Sequence, residues 1–307
     1  MDLMAAFPRE HRLKGLIFEY PSMVLAILVA YVVFVLKIGP NYMRDKKPFN
    51  PRALTRIFNL FQVSANVWFL SQITYFLWRY RHSDRFTLIC SPPTTEQPDL
   101  DIPEDNEWLG TVSTFYLYVR ILDFLDTVFF VLAKKHSHVS FLHVYHHVVV
   151  VATGYIYLRS GWGVSLYYVS LVNSMVHVVM YTYYFLSTFP QMRPYLWWKR
   201  YLTAMQISQF VLIAAHTVMV VMWNCGYPPI VLQYTVVQAV IFLILFSRFY
   251  TQTYSAVAKA ARAANDKAAT AAAAAAAAAT SQQSAPAPAM VYATTTSAVN
   301  GRSLKCD

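Results

Sequence analysis

The sequence predicts an all-α fold, a polytopic membrane protein with seven transmembrane helices. Of its 307 residues, 57% are hydrophobic and only 13% are charged, which is too apolar for an ordinary soluble domain. The apolar residues also form runs close to the roughly 20 residues that a membrane-spanning helix needs. The predicted spans are residues 22–38, 57–78, 112–133, 141–159, 163–187, 202–224 and 229–250.

The charges between the spans predict how the chain is oriented. Basic residues concentrate in segments 39–56, 134–140 and 188–201 and in the C-terminal tail, whereas acidic residues outnumber basic ones in segment 79–111. Because basic loops remain in the cytosol, we expect a lumenal N-terminus and a cytosolic C-terminus. The charged stretch MDLMAAFPREHRLKG before the first span does not have the pattern of a cleavable signal peptide. The net charge of +10 then reflects topology and not a nucleic-acid partner.

The composition changes near residue 255, where the sequence becomes rich in Ala, Thr, Ser and Pro and contains an alanine run at 271–279. Such a segment has too little apolar surface to form a core. We therefore predict a membrane domain over residues 1–255 and a low-complexity, disordered cytosolic tail over residues 256–307, with at most a transient helix.

Ionisable and amide side chains interrupt the apolar spans at similar depths. They are Arg120, Asp123 and Asp126 in the third span, His143, His146 and His147 in the fourth, Asn173 and His177 in the fifth, Gln206 and Gln209 in the sixth, and Arg248 at the end of the seventh. Spacings of three and four place the members of each set on one helix face. At about 1.5 Å per residue, four antiparallel spans bring these groups to nearly one level. Polar groups are costly inside a membrane, so this layer predicts a functional site.

The segment FLHVYHH, residues 141–147, admits two kinds of chemistry. One is a metal centre, as in a histidine-box lipid desaturase or hydroxylase, because imidazole is a common metal ligand. Such an enzyme would need further histidine boxes, and the chain has only this one. The other is organic catalysis, in which an imidazole acts as a base or as an acyl-accepting nucleophile. A receptor or transporter without chemistry would leave the buried histidines unexplained.

Four segments resemble one known family, the very-long-chain fatty acid elongases, which condense acyl-CoA with malonyl-CoA. They are ILDFLDTVFFVLAKKHSHVSFLHVYHH at 121–147, NSMVHVVMYTYYFLS at 173–187, YLTAMQISQF at 201–210 and LFSRFY at 245–250. The resemblance covers nearly all of residues 15–255, in the family's order. It implies a seven-helix bundle in the endoplasmic reticulum membrane, in which six helices form a barrel around a closed acyl tunnel.

The resemblance also implies roles for individual residues. The catalytic set is His143, His146, His147, His177, Asp126 and Asn173, with His146 as the acyl-accepting nucleophile and His177 assisting malonyl-CoA decarboxylation. Substrate binding falls to Arg120, Asp123, Gln206, Gln209, Lys134, Lys135, Tyr184 and Arg248. From the residues alone, Cys90 and Cys225 could be paired or free; the resemblance implies a lumenal disulfide between them.

This sequence departs from the family pattern at a few of these positions. Arg120 and Asp123 stand where a lysine and a glutamate are usual, and Ala133 replaces an arginine that many members have before the lysine pair. The resemblance implies no bound cofactor and no metal, with acyl-CoA and malonyl-CoA as substrates. The expected partners are the lipid bilayer and the reductases and dehydratase of the elongation cycle, and a homodimer is compatible with it.

Overall fold

The computed structural model describes residues 16–79, 81, 103–160, 167–225 and 227–283, and within these ranges all regular structure is helical. The helices are α1 (Leu16–Glu19), α2 (Pro21–Val33), α3 (Gly39–Met43), α4 (Arg52–Arg79), α5 (Pro103–Leu122), α6 (Phe124–Leu132), α7 (Phe141–Arg159), α8 (Tyr167–Ser187), α9 (Lys199–Met222) and α10 (Pro229–Gln283). A π-helical turn, Phe34–Ile38, joins α2 to α3. The predicted all-α fold class is confirmed.

Among the residues that the structure describes, five helical segments are long and apolar enough to cross a membrane. They are Pro21–Met43, Phe141–Arg159, Tyr167–Ser187, Lys199–Met222 and Pro229–Ala256. These segments coincide with the first, fourth, fifth, sixth and seventh predicted spans, and the chain is a multi-pass membrane protein.

The second and third predicted spans coincide with α4 and with the pair α5–α6, which are helical but are not among those five segments. α4 buries the amides of Asn59, Gln62 and Asn66, and α5 buries Arg120. The amides lower the mean hydropathy of α4, and Arg120 together with the acidic start of α5 lowers that of α5, because such groups partition poorly into hydrocarbon. α6 has nine residues and is too short to span a membrane alone. Hydropathy alone therefore does not mark them as spans.

Local sequence explains several helix boundaries. The side chain of Ser140 accepts a hydrogen bond from the backbone N–H of His143, and α7 begins at the next residue after this cap. Proline lies at the first position of α2 and of α10, where its missing N–H costs no helical hydrogen bond. The cap on α7 fixes the helical phase of the histidine segment.

Helix contacts bring the predicted polar layer together. α8 packs along α4 on one side and against α9 on the other, while α5 packs against both α4 and α7. Phe210 of α9 stacks on Phe242 of α10, and the hydroxyl of Tyr145 on α7 donates to Gln238 of α10 at 3.0 Å. Successive contacts thus join α4, α8, α9, α10, α7 and α5.

The first apolar segment packs on the outside of α6 and α7. Tyr31 of α2 stacks on Phe124 of α6 with ring centroids 4.1 Å apart. Gly39 of α3 lies against Val131 of α6, and a Cβ atom at Gly39 would come 2.7 Å from Val131 Cγ1. Gly39 has a helical φ of −61°, so close approach and not backbone conformation requires the glycine.

The chain divides into two compact units, Met1–Tyr254 and Ser255–Asp307. Within the second unit, α10 remains helical as far as Gln283. The segment 256–283 was predicted to be disordered with at most a transient helix, and the structure differs there because alanine has the highest helix propensity of all residues. Residues 284–307 of the predicted tail lie outside the described ranges.

Substituting Gly39 by alanine should destabilise the contact between α3 and α6. The new methyl group would overlap Val131, which is fully buried, and overpacking of this kind costs about 1–3 kcal/mol. Thermal unfolding of the purified protein in detergent should show a Tm lower by several degrees.

The matched control is Gly154→Ala, where the added Cβ would lie 3.6 Å from Leu117 Cδ1, an ordinary contact. This variant should keep the wild-type Tm. The double variant Gly39→Ala/Val131→Ala removes the overlapping methyl group and should lose less stability than the two single changes together. Strict additivity would show that the overlap is not the cause.

Candidate active site

The side chain of His146 lies at one end of an internal cavity of about 110 Å³. The cavity is bordered by α5, α7, α8, α9 and α10, and its lining is mostly aliphatic and aromatic. Its polar lining comes from Tyr116, His146, Ser170, Asn173, Gln209 and Gln238, with the hydroxyls of Thr153, Tyr157, Tyr234 and Thr235. The ring of His146 also packs against Phe242, with centroids 5.4 Å apart. An apolar cavity with an imidazole and amides at one end suits a ligand that has a hydrocarbon chain and a reactive polar group.

Gln209 presents an unused hydrogen-bond acceptor at this cavity. Its side chain is 3% exposed, and its Oε1 has no hydrogen-bond partner among the described residues. A buried polar atom without a partner costs about 1–3 kcal/mol. A ligand donor in the cavity would remove that cost.

The other two box histidines have different surroundings. His143 Nε2 lies 2.9 Å from the hydroxyl of Thr127, which in turn lies 2.8 Å from the hydroxyl of Tyr31. His147 is 7% exposed and packs edge-on against the rings of Tyr31 and Phe124. These two histidines therefore lie between α7, α6 and α2, whereas His146 faces α10 and the cavity.

Arg120 is the centre of a buried network behind the cavity. Its Nη2 donates to Asn66 Oδ1 on α4 at 2.7 Å, and its Nη1 donates to Asn173 Oδ1 on α8 at 3.1 Å. The same Nη1 lies within hydrogen-bond distance of His177 Nδ1, and it lies 3.3 Å from Asp123 Oδ2. Because a guanidinium can only donate, His177 must accept through an unprotonated ring nitrogen. One side chain thus links three helices and orients both Asn173 and His177.

The two carboxyl groups of the layer share one phenol. The hydroxyl of Tyr181 lies 2.9 Å from Asp123 Oδ1 and 2.7 Å from Asp126 Oδ2. A phenol has a single proton and can donate to only one of them. Asp123 also pairs with Arg120 at 3.3 Å, so Tyr181 connects this ion pair to Asp126.

The predicted catalytic residues therefore fall into three neighbouring groups. His146 and Asn173 line the cavity, and Asn173 also belongs to the network around Arg120. His177 and Asp126 lie in that network but do not line the cavity. His143 and His147 lie on the side of α7 that faces α6.

The predicted substrate-binding residues of the layer are more dispersed. Gln209 lines the cavity, whereas Gln206 donates to Met180 Sδ at 3.3 Å on α8. Tyr184 packs beside Tyr181, with ring centroids 6.0 Å apart. Arg120 and Asp123 were predicted to bind substrate, but in the structure they are 1% and 2% exposed and bonded to protein groups.

The predicted cationic contacts lie near the Lys199 end of α9, here called the basic end. Lys134 donates from Nζ to the carbonyl oxygen of Arg44 at 3.0 Å, and Lys135 and Arg248 are exposed. Burial and the charges of Lys135 and Lys199 lower the pKa of His138. The basic end therefore carries a positive potential that attracts anions.

Asn66, Tyr116 and Tyr181 belong to the site but are not among the predicted site residues. The hydroxyl of Tyr116 donates to Asn173 Oδ1 at 3.1 Å, which adds a second donor to that oxygen. A signal for Asn66 exists in the sequence, since Asn59, Gln62 and Asn66 follow one another at helical spacing within the second span. No comparable signal marks the tyrosines, because aromatic residues are frequent throughout the spans.

Cys225 forms a disulfide bond, and Cys90, its partner in the sequence prediction, lies outside the described residues. Among the residues that the structure describes, no three His, Cys, Asp or Glu side chains converge in a way that could hold a metal ion.

The sequence matches to known proteins include the residues of both the cavity and the network. The sequence profile of the GNS1/SUR4 family (ELO) matches residues 16–262. The chain is similar to very long chain fatty acid elongase 5 of Homo sapiens, with 32% identity over 252 residues that cover 81% of this chain and 80% of the human protein. It is also similar to very long chain fatty acid elongase 1 of Mus musculus, with 33% identity over 254 residues that cover 81% of this chain and 87% of the mouse protein. The chain belongs to the GNS1/SUR4 family.

Proposed function

We propose that this protein is a very-long-chain 3-oxoacyl-CoA synthase of fatty acid elongation. It condenses a long-chain acyl-CoA with malonyl-CoA and releases 3-ketoacyl-CoA, CO2 and CoA. The observation that carries the proposal is the apolar cavity that has His146, Asn173 and the unpartnered acceptor of Gln209 at its polar positions. The names of the similar human and mouse proteins, both very long chain fatty acid elongases, support the reaction class.

In the first half-reaction, His146 accepts the acyl group. A ring nitrogen attacks the thioester carbonyl carbon, the carbon–sulfur bond breaks, and CoA leaves as a thiolate that takes up one proton. The product is an acyl-imidazole, which remains reactive because imidazole is a good leaving group. The acyl chain lies along the apolar cavity, where its burial contributes about 25 cal/mol per Å².

In the second half-reaction, malonyl-CoA supplies the nucleophile. Its carboxylate leaves as CO2, and the electron pair becomes the enolate of acetyl-CoA. The enolate carbon attacks the acyl carbon and forms a carbon–carbon bond. The carbon–nitrogen bond to His146 breaks, and the ring leaves with that electron pair and takes up one proton. Donors held in place before the reaction stabilise such an oxyanion best. The Nδ2 amide of Asn173 is such a donor at the cavity, because Arg120 and Tyr116 fix its orientation through Oδ1. His177 assists decarboxylation from the network behind the cavity.

The helices that surround the cavity suggest the complete architecture. In this proposal the chain has seven spans, and α4, α5–α6, α7, α8, α9 and α10 form a barrel around a closed acyl tunnel. The successive contacts between these helices support it, as does the burial of the polar residues of α4 and α5 towards α8. Spans whose polar groups face inward can cross a bilayer despite low mean hydropathy.

The setting of the enzyme follows from the same proposal. It lies in the endoplasmic reticulum membrane with a lumenal N-terminus and a cytosolic C-terminus, so that Lys134, Lys135 and Arg248 meet the CoA groups of both substrates from the cytosol. It uses no bound cofactor or metal. Its 3-ketoacyl-CoA product passes to the reductases and dehydratase of the cycle, and the protein can form a homodimer.

The alternative of a metal-dependent lipid desaturase or hydroxylase has no specific observation in its favour. Histidine ligands would have to converge on one point. His143 instead contacts Thr127, and His146 faces α10.

Replacing His146 by alanine should abolish condensation. Removing a covalent nucleophile typically costs at least about a thousandfold in turnover. In microsomes from cells that express the variant, incorporation of label from malonyl-CoA into 3-ketoacyl-CoA should stay at background level. With acyl-CoA alone, the purified wild-type protein should release up to one CoA per chain and gain the mass of the acyl group, and the variant should do neither.

The matched control is His136→Ala, because His136 is exposed and outside the cavity. It should keep the wild-type rate. CoA release by His146→Ala would disprove the role of His146 as nucleophile but would not contradict the proposed elongation reaction. A wild-type protein that elongates no acyl-CoA would disprove the proposed function itself.

Arg120→Lys should lower kcat by roughly 10- to 100-fold, since each lost charged hydrogen bond is worth about 1.5–3 kcal/mol. A lysine ammonium cannot reach Asn66 and Asn173 from opposite sides as the guanidinium does. The KM for acyl-CoA should change little, because Arg120 does not line the cavity. Steady-state kinetics over a range of acyl-CoA concentrations measures both constants.

Arg159→Lys is the control, because the one hydrogen bond of the Arg159 side chain within the described residues goes to the carbonyl oxygen of Phe18, remote from the network. The double variant Arg120→Lys/Asp123→Glu restores the pair that is usual in the family and should recover most of the rate. A wild-type kcat for Arg120→Lys alone would refute the positioning role.

A further inference from the structure

A second, smaller cavity continues from the first, away from His146. It has a volume of about 30 Å³ and shares Tyr157, Val169 and Thr235 with the larger cavity. Its far wall includes His216 and Val220 of α9.

The side chain of Tyr157 extends from α7 to α10 at this boundary. Its hydroxyl donates to the carbonyl oxygen of Val231 at 3.1 Å and lies 3.1 Å from Thr235 Oγ1. The residue is 6% exposed, so its ring is held by packing as well as by these bonds. Among the three shared residues, Tyr157 has the largest side chain and is the one bonded across the space.

The distance from His146 to Tyr157 can be compared with the length of an extended acyl chain. His146 and Tyr157 lie eleven residues apart on α7, which corresponds to about 17 Å along the helix. Carbon–carbon bonds of about 1.5 Å at tetrahedral angles advance an extended chain by about 1.25 Å per carbon. The part of α7 from His146 to Tyr157 therefore has the length of an extended chain of roughly 13 carbons.

The smaller cavity would extend that length. On α9 the lining of the larger cavity ends at Ile213 and that of the smaller one ends at Val220. Seven helical residues correspond to about 10 Å, or about eight further carbons at the same advance.

We propose that Tyr157 determines the length of the acyl chain that the site accepts. This inference rests on the proposed function, because it assigns the larger cavity to an acyl chain whose carbonyl carbon is at His146. An acyl chain that ends between His146 and Tyr157 binds without displacing the ring of Tyr157. A longer chain must displace the ring and break its hydrogen bonds to α10 before the tail enters the smaller cavity.

The test measures the rate of elongation across a series of saturated acyl-CoAs that increase by two carbons, with labelled malonyl-CoA and the full-length protein in microsomes. The cut-off is the chain length at which the rate falls to half its maximum. Tyr157→Ala should raise the cut-off by at least two carbons and by no more than about eight, the length of the second cavity. Tyr157→Phe keeps the ring and should shift the cut-off by less than Tyr157→Ala.

Tyr234→Ala is the matched control. Tyr234 also bonds across α7 and α10, with its hydroxyl 2.8 Å from Thr153 Oγ1, but it lines only the larger cavity. The control should leave the cut-off unchanged, whatever its effect on the rate. Filling the second cavity in the double variant Tyr157→Ala/Val220→Phe should return the cut-off towards the wild-type value.

A wild-type cut-off in Tyr157→Ala, or an equal shift in Tyr234→Ala, would overturn the proposal. If Tyr157→Ala does not accumulate as folded protein, Tyr157→Leu, which retains a buried apolar side chain, is judged by the same criterion. The rate of the wild-type protein distinguishes a failure of the proposed function from a failure of the role assigned to Tyr157. A wild-type protein without elongation refutes the proposed function, whereas an elongating protein whose cut-off ignores Tyr157 refutes only this assignment.

Discussion

The structure depends on the hydrogen bonds to the two terminal nitrogens of one buried guanidinium, that of Arg120, whose Nε has no partner among the described residues. Arg120 lies inside the membrane domain, where an unpaired charge would cost several kcal/mol. Its partners are Asn66 on α4, Asp123 between α5 and α6, and Asn173 with His177 on α8, so Arg120 joins its own helix α5 to two others. These helices must therefore come together in one register. A small sideways shift of α4 or α8 would leave donors of the guanidinium without acceptors.

Within the site, the residues that the Arg120 network orients are different from the residue proposed to react. Asn173 belongs both to the network and to the cavity lining, so it transmits the register of the helices to the space where a ligand would lie. The side chain of His146 has no hydrogen bond to the residues that the structure describes, and aromatic packing against α10 holds it. A nucleophile benefits from a free lone pair, whereas the groups around it benefit from rigidity.

The sequence predicted the parts of this protein that depend on local pattern. The helices α7, α8, α9 and α10 follow from contiguous apolar runs. The spacing also places the three histidines on one helix, but the predicted common face differs from the structure, because His146 faces α10 whereas His143 and His147 lie against α6. The partnership of Arg120 with Asn66 could not be predicted, because the two are 54 positions apart and no local rule selects one amide of α4 over another. The same limit applies to Gln206 and Gln209. Their spacing places them on one helix face, but of the two only Gln209 lines the cavity, and Gln206 instead donates a hydrogen bond to Met180.

The hydroxyl of Thr127 joins the first apolar segment to the histidine box. It lies between Tyr31 on α2 and His143 on α7, so a residue near the beginning of the chain holds an imidazole encoded far downstream. Inherited or selected changes in α2 would then impair the enzyme through a misaligned histidine, although α2 contributes nothing to the cavity lining. A genetic survey that scores damage by distance from the cavity would overlook such alleles.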